Sequence, residues 1–568
     1  MSPELEGQAK PSASLSLVGG VTAFFIGVTA WLTWPLAARL ASALSASPDS
    51  LLNFWALAWN FHILPRQPLS LFQANIFFPR PDTLAYSEHL FGVALLAWPA
   101  FLASGNAVFA YNVALFASFV LSGLGMFLLV DELTENRWAA LLSGVIYAFA
   151  PYRFLHLLHL QLLSSQYFPF VFCFLLRFQR QGRARQILAS GFFALLQILS
   201  CNYYALFLAL ALALWAAVTA LARPPRVDRR KLILAALTAV AAASLSFPFF
   251  LPYERNRAEQ GFYRRYEDLV QFSAIPSDYL RPTAFNAVFY APWLPAQERS
   301  EKALFPGFVA IALAALGMIQ GRRKMGIYFM VLVLVSFGLS LGPEIKWGAG
   351  SHILPYRLLY KYVPGFAGLR APARLGLLVL LGLAVLAGIG WARASQRLAT
   401  GPRARPLLGT AALVLLLFEY QTRPLDPIFP PAPSSPPVYT WLATQEGDFS
   451  VLELPLREGE DITGESLRMY HSTRHWKRLA NGFSGWWPND YWELVGRMRS
   501  FPNSRVLRFL EAHVPVRLVI IHYDQYPVRE GERLRAAMER YRERLPLRAR
   551  FSDDAVYEVL PEGFGSAR

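Results

Sequence analysis

Charge is scarce in this chain: 16% of its 568 residues are Asp, Glu, Lys or Arg, against about a quarter in ordinary soluble domains. The shortage is uneven. Leu206–Leu221 and Leu377–Ile389 carry no charge at all, whereas a soluble core helix of that length keeps a polar face. Lipid is the simplest solvent for such stretches. Acidic residues are scarcer than basic ones, 38 against 54, which gives a formal net charge of +16. Much of the excess sits in short loops between apolar runs, the pattern of the positive-inside rule. Zinc-finger spacing and an RNA-binding aromatic signature are both missing, so no nucleic-acid partner is expected. Only two cysteines occur, Cys173 and Cys201. Both fall inside expected spans, which excludes a disulfide framework and leaves them as small buried hydrophobes. The chain has no Gly-x-x-x-x-Gly-Lys-Ser/Thr loop and no His-Glu-x-x-His string, which argues against ATP-driven transport and a zincin protease. Few charges interrupt the spans and no inverted repeat stands out, which argues against ion-coupled transport.

What is present is a series of apolar runs, at roughly 15–38, 89–104, 107–130, 138–151, 160–178, 186–202, 203–222, 231–252, 303–319, 326–342, 373–391 and 406–421. The N-terminal residues Met1–Leu15 make a poor signal peptide, so the first run reads as a retained anchor. Four loops are basic: Arg177 to Arg185, Arg223 to Lys231, Arg322 to Lys324 and Arg393 to Arg405. Placed in the cytoplasm, they alternate with the spans between them and put the chain after Tyr420 outside. The run His89–Ser104 is short, contains Pro99 and is expected to lie in the outer interface without crossing. This leaves about eleven crossings, a cytoplasmic N-terminus, and three long outer loops at 39–106, 252–302 and 342–372.

The fold class expected is therefore an α-helical polytopic membrane domain over 1–421, a Pro-rich linker over 422–437, and a small α/β extracytoplasmic domain over 438–568. In that tail, Phe449–Leu454 and Val516–Tyr523 read as strands. Tyr491–Phe501, Arg505–His513 and Glu530–Arg544 read as helices. The stretch Asn481–Trp492 is dense in aromatic and turn residues, which suits either sugar stacking or docking on the membrane surface.

Several residues could carry chemistry. Asp49 stands just past the first span, ahead of Leu51–Leu64 with Trp55, Trp59 and His62, which reads as an amphipathic interfacial helix. Asp49 is either a helix cap or a carboxylate able to take a proton from a hydroxyl nucleophile. Glu88 and His89 are either an interfacial cap or a second carboxylate and a proton shuttle. Arg153, His156 and His159 share one helical face, near Gln161 and Gln166, and offer donors to a phosphate or polar groups to an interface. Arg370 and Arg374 lie on the outer side against the positive-inside tendency, which points to an anionic lipid head. Asp278 and Arg281 are either acceptor contacts or a surface ion pair. Asn202-Tyr203-Tyr204 reads as a tight turn with interfacial tyrosines.

The strings Asp49-Ser50-Leu51-Leu52-Asn53, Trp55-Ala56-Leu57-Ala58-Trp59-Asn60, and Pro151-Tyr152-Arg153 through Gln166, in this architecture, resemble the GT-C glycosyltransferase superfamily. The resemblance is to a bacterial, uncharacterised branch, by architecture over most of the membrane region and by sequence only in these strings. It implies a membrane glycosyltransferase that takes a sugar from a polyprenyl-phosphate donor on the outer face of the inner membrane, with the acceptor unspecified. In the superfamily the acidic residue of the first loop is catalytic or metal-binding, and Asp49 is the position that matches. Many members carry two adjacent acids, but here Pro48 precedes Asp49, so Glu88 and His89 are the candidate partners. Any cofactor would be a divalent metal, Mg or Mn, with Asp49 as its ligand. The rival expectation is a non-enzymatic translocator of lipid-linked glycans, or an envelope assembly scaffold.

Overall fold

A computed structural model describes residues 14–221, 228–283, 286–288, 300–320, 324–347, 350–398, 401, 403–425, 429–456 and 462–562. Arg223, Arg226, Arg322 and Arg323 of the basic loops lie outside the described residues.

The first half of the chain runs through α1 (Leu15–Leu32), α2 (Pro48–Ile63), α3 (Phe91–Ser104), α4 (Ala107–Thr134) and α5 (Arg137–Phe149). Two short helices follow, α6 (Pro151–Leu155) and α7 (Leu160–Leu163), and then α8 (Tyr167–Gln181), α9 (Ala184–Ser200), α10 (Asn202–Leu221) and α11 (Arg229–Gln260). After the short α12 (Tyr266–Gln271) come α13 (Phe308–Gln320) and α14 (Lys324–Ser340). A hairpin of β1 (Glu344–Trp347) and β2 (Gly350–Ile353) leads through α15 (Tyr356–Tyr362) to α16 (Gly376–Leu398) and α17 (Ala404–Glu419). Among the described residues, six helical stretches of at least 18 residues are apolar enough to cross a bilayer, and shorter apolar helices pack among them. The chain is a polytopic α-helical membrane protein.

Local chemistry sets the helix ends. Asn106 and Asn136 accept backbone N–H groups at the starts of α4 and α5, and Asp228 does so for α11. These side chains satisfy donors that a helix start leaves orphaned. Gly261 ends α11 at φ +68°, a left-handed conformation that glycine takes without a Cβ penalty. Between α13 and α16 the backbones touch. A Cβ on Gly317 would sit 1.9 Å from the Leu386 carbonyl oxygen, and one on Gly390 would sit 2.2 Å from that of Leu313. Small residues at a helix crossing in a membrane allow this approach.

Helix α3 has 14 residues, about 21 Å at 1.5 Å per residue and short of a bilayer core of about 30 Å. Glu88, just before it, accepts the Asn202 N–H at the start of α10 (2.8 Å). Just after it, the Asn106 side chain donates to the Ala41 carbonyl (3.0 Å), beyond the end of α1. Both ends of α3 thus lie on the face of the bundle that carries the C-terminal tail.

The tail builds α18 (Pro437–Thr444), β3 (Ser450–Leu454), α19 (Ile462–Ser472), β4 (Arg478–Leu479), α20 (Tyr491–Met498), α21 (Ser504–His513), β5 (Leu518–His522), α22 (Val528–Arg540), β6 (Leu547–Arg550) and β7 (Asp554–Glu558). Its sheet runs β4-β3-β5-β7-β6, with β4, β3 and β5 parallel and β7 antiparallel to both β5 and β6. Strands β3 and β5 are buried at every residue, as expected of parallel strands covered on both faces.

The tail is not held at a distance. Helix α19 packs on α2. Backbone bonds join Phe77 to Asn481 (3.0 Å), Phe78 to Leu479 (2.8 Å) and Leu479 to Asn75 (2.8 Å). Within the Pro-rich segment, Pro430 and Ala432 bond the backbone of Leu44 and Ser42. One consequence corrects the sequence reading of α2 as an interfacial helix. All of its residues except Pro48, Asp49 and His62 are buried, because the tail covers the face that lipid headgroups would otherwise meet. Trp55 and Trp59 donate inward, to Asn75 Oδ1 (3.0 Å) and the Leu71 carbonyl (2.7 Å), and His62 stacks on Trp476.

Candidate active site

A cavity of about 1820 Å³ opens between α9, α10 and α11, and the tail residues Phe483 to Trp487 close one end of it. Its long wall is apolar, built from such residues as Leu206, Leu212, Ala235, Ala239 and Ala242, and it runs down to Lys231 and Lys324 at the end away from the tail. The end beneath the tail is polar, with Asp49, Glu88, His159, Asn202, Arg370 and Arg374 on its wall.

Asp49 occupies the first turn of α2. Its carboxylate faces His159, with Nε2 to Oδ2 at 3.3 Å, and about half of the side chain is exposed. Burial pushes the carboxyl up, but the hydrogen bond and charge of His159, with Arg370 and Arg374 beyond, outweigh it. The net result is a carboxyl held below its ordinary range, ionised at neutral pH. His159 keeps a second ring nitrogen, Nδ1, buried without a hydrogen-bond partner, and Gln161 Oε1 and Asn202 Oδ1 on the same walls are likewise unpartnered. Buried polar atoms normally find partners, so these are open to water or to a polar ligand.

Glu88 accepts the Asn202 N–H at the start of α10 and receives the Cys201 thiol at 3.7 Å. Burial raises its carboxyl to about 7, against the opposing pull of the Asn202 amide and of Arg374. The cavity therefore holds two carboxyl groups whose surroundings push them in opposite directions.

The arginines differ. Arg370 lies on the wall with its guanidinium over Phe272 (4.6 Å), while its backbone N–H donates to the Tyr203 hydroxyl (2.8 Å). Arg374 is buried over Tyr203 (4.4 Å) and grips Glu301 with two nitrogens, Nε at 2.9 Å. Burial would raise the Glu301 carboxyl, but Arg374 drives it well below the usual carboxylate range. Glu301 did not stand out in the sequence, because an acid within the charged run Glu298-Arg299-Ser300-Glu301-Lys302 looks solvated. The signal was indirect: Arg374, just ahead of an apolar run, needed an anion.

Other sequence candidates lie elsewhere. Arg153 does not reach the cavity wall. It is buried in the bundle, donates to Ser165 Oγ (2.7 Å), the Leu163 carbonyl (3.1 Å) and Ser118 Oγ (3.3 Å), and sits over Phe119. It braces the turn between α5 and α8. His156 is buried against Tyr152 and His159, behind the wall. Gln166 is buried before α8 and is not among the cavity residues. His89 packs between Phe72 and Phe249, and its Nδ1 accepts the Phe91 N–H (3.0 Å), so it caps α3 away from the cavity. Asp278 is buried and accepts the Ile275 N–H (2.9 Å). Arg281 is exposed, and neither Asp278 nor Arg281 lines the cavity.

Two residues gain importance from the fold. Arg264, ahead of α12, lines the cavity and lies on the Trp486 ring at 3.6 Å. Trp486 is stacked on its other partner, Phe262, at 4.9 Å. The tail's aromatic stretch thus forms the cavity wall and is packed against the chain's own side chains.

A divalent metal requires several oxygen ligands. Among the described residues no group of three or more His, Cys, Asp or Glu is placed to hold one. Asp49 and Glu88 are each engaged by other partners. No step proposed for this site passes through a metal.

No family model matches the chain, and no curated protein matches it in sequence. Solved structures do match. The arabinofuranosyltransferase AftD from Mycobacteria superposes with a TM-score of 0.60 at 14% identity, over 97% of this chain and 40% of that one. The oligosaccharyltransferase of Archaeoglobus fulgidus superposes with a TM-score of 0.51 at 11% identity, over 90% of this chain and 70% of that one. The chain thus spans about two fifths of the length of AftD. At these identities the likeness is one of fold: the chain has the fold of the GT-C membrane glycosyltransferases.

Proposed function

We propose that the chain is a glycosyltransferase that moves a sugar from a polyprenyl-phosphate donor to an acceptor on the outer face of a bacterial inner membrane. The N-terminus is then cytoplasmic and the tail extracytoplasmic. The observation that carries this reading is the two-part cavity, apolar along the depth of the bundle and polar beneath the tail. A long isoprenoid suits the apolar part, and a phosphate with its sugar suits the polar end. The two structurally similar proteins are both named as transferases of sugars, which agrees.

In this reading Arg370 holds the donor phosphate, while Arg374, paired with Glu301, shapes the wall beside it. The acceptor hydroxyl oxygen forms a bond to the anomeric carbon as the bond from that carbon to the phosphate oxygen breaks. The phosphate leaves with the electron pair. Asp49, ionised and facing the cavity, accepts the hydroxyl proton. His159 orients it. Glu88 is the second carboxyl of the site, fixed on the start of α10. Since phosphate is a good leaving group, most of the acceleration comes from positioning and charge neutralisation.

The rival reading, a translocator of lipid-linked glycans, draws on the reach of the cavity to Lys231 and Lys324. Reconstituted protein separates the two readings. The transferase reading predicts that Asp49→Ala abolishes sugar transfer while donor binding persists, and full function in that variant supports the translocator.

A further inference from the structure

We infer that Arg264 is a second donor-phosphate ligand beside Arg370 and that Trp486 of the C-terminal domain is its positioning residue, so that the tail sets the affinity of the donor site. This rests on the function proposed above.

Arg264 lines the polar end of the cavity with Arg370 and Arg374. Its guanidinium carbon lies over the Trp486 ring, 3.6 Å from the centroid, and one terminal nitrogen donates to the Gly485 carbonyl (2.9 Å). Its Nε is buried and has no hydrogen-bond partner. Burial works against its charge, and the positive charges of Arg370 and Arg374 add to this, with Tyr203 and Asp268 pulling the other way. A cation gathered among like charges, with an unmet donor on a cavity wall, calls for an anion. Arg374 is offset by Glu301, so Arg264 and Arg370 are the cations best placed to meet a phosphate.

The geometry of Arg264 comes from the tail. Trp486 is held from its other side by Phe262 at 4.9 Å, with the rings 9° apart. The Gly485 backbone fits against the Tyr86 carbonyl, where a Cβ would approach to 3.2 Å. Asn489 adds a bond to the Gln260 carbonyl (3.1 Å). Trp486 also lines the cavity, so its action through Arg264 is separated from direct contact with the donor by pairing the two substitutions. A cation–π contact of this kind contributes modestly at partly exposed sites, and it also fixes a side chain that would otherwise lose rotamer freedom on binding.

The test is the affinity of full-length protein in nanodiscs for undecaprenyl phosphate. Arg264→Ala is expected to weaken binding about tenfold or more. Trp486→Ala is expected to weaken it about fivefold, and Trp486→Phe, which keeps a ring under the guanidinium, to restore it to near the wild-type value. The double variant Arg264→Ala/Trp486→Ala should bind no worse than Arg264→Ala alone. Arg80→Ala cuts the Arg80–Asp490 pair between tail and loop, 2.8 Å at Nε and away from the cavity, and should leave affinity unchanged. Unchanged affinity in Trp486→Ala, additive losses in the double variant, or an equal loss in Arg80→Ala would each overturn the inference. Failure of the wild type to bind at all would instead overturn the proposed function beneath it.

Discussion

Asp49 is the residue on which the chemistry turns. Asp49 makes no side-chain cap of α2, so Asp49→Asn keeps size while removing charge and proton affinity. Sugar transfer by the purified variant should fall about 100-fold or more, while donor affinity, set by the arginines, changes little. Glu88 offers an independent check through pH. Burial raises its carboxyl to about 7, so the fold favours the protonated form. Stability from this group is complete below about 4.5, the ordinary glutamate range, and is lost as pH rises toward 7. Glu88→Gln can still accept the Asn202 N–H, and should flatten that slope and stabilise the protein above pH 7 by on the order of 2 kcal/mol, measured by thermal unfolding across pH. At this scale the sequence showed part of the site. Asp49, Glu88, Arg370 and Arg374 do line one cavity, because residues flanking spans are confined to one level by the bilayer. Helical spacing from Arg153 to His159 suggested a shared face, but the chain breaks into α6 and α7 there. Arg153 therefore turns into the bundle while His159 alone reaches the cavity.

Among the elements, the tail sheet carries a buried charged cluster where β3 and β5 end. His522 bonds Asp554 through Nδ1 (2.7 Å) and Glu453 through Nε2 (3.0 Å), and Tyr439 donates to the same Glu453 oxygen (2.7 Å). Burial lowers the imidazole's affinity for its proton, but the two carboxylates outweigh it and, against Arg468, raise it to about 9. Its contribution to stability is thus complete below pH 6.5 and is lost as pH rises through 9. The unfolding temperature of the full chain should fall across that window. His522→Gln should abolish the dependence and cost about 3 kcal/mol, since it removes the imidazolium that bridges Glu453 and Asp554. In the membrane bundle, Gly317→Val should destabilise the crossing of α13 and α16, because the obstacle is the Leu386 backbone carbonyl, which cannot swing aside. The expected result is loss of monodisperse protein in size-exclusion chromatography. Strands β3 and β5 were readable as short β-branched runs. Helix α19 and strands β6 and β7 were not, because polar α19 gains its place from contact with α2 and the two short strands alternate weakly. The burial of α2 also escaped the sequence, since a residue pattern does not reveal which distant element covers a face.

For the whole molecule, the apolar runs and the short α3 were legible because hydrocarbon thickness imposes length directly on sequence. The tight seating of the tail was not, because it depends on pairings such as Phe77 with Asn481 across some four hundred residues. Accessibility labelling of single cysteines in cells should find positions 47 and 434 on the outer side and position 323 inside. Both ends of the segment 89–104 should label from the same side, and a cytoplasmic position 47 would place Asp49 in the wrong compartment. The central claim is sugar transfer from a lipid phosphate at the cavity beneath the tail. It is tested most directly with purified full-length protein in nanodiscs, offered a panel of polyprenyl-phosphate sugars, with binding and turnover read separately. The account predicts that at least one donor binds and is consumed by the wild type, and that Asp49→Asn binds it without consuming it. Equal turnover by wild type and Asp49→Asn, or no binding of any polyprenyl phosphate, would contradict it.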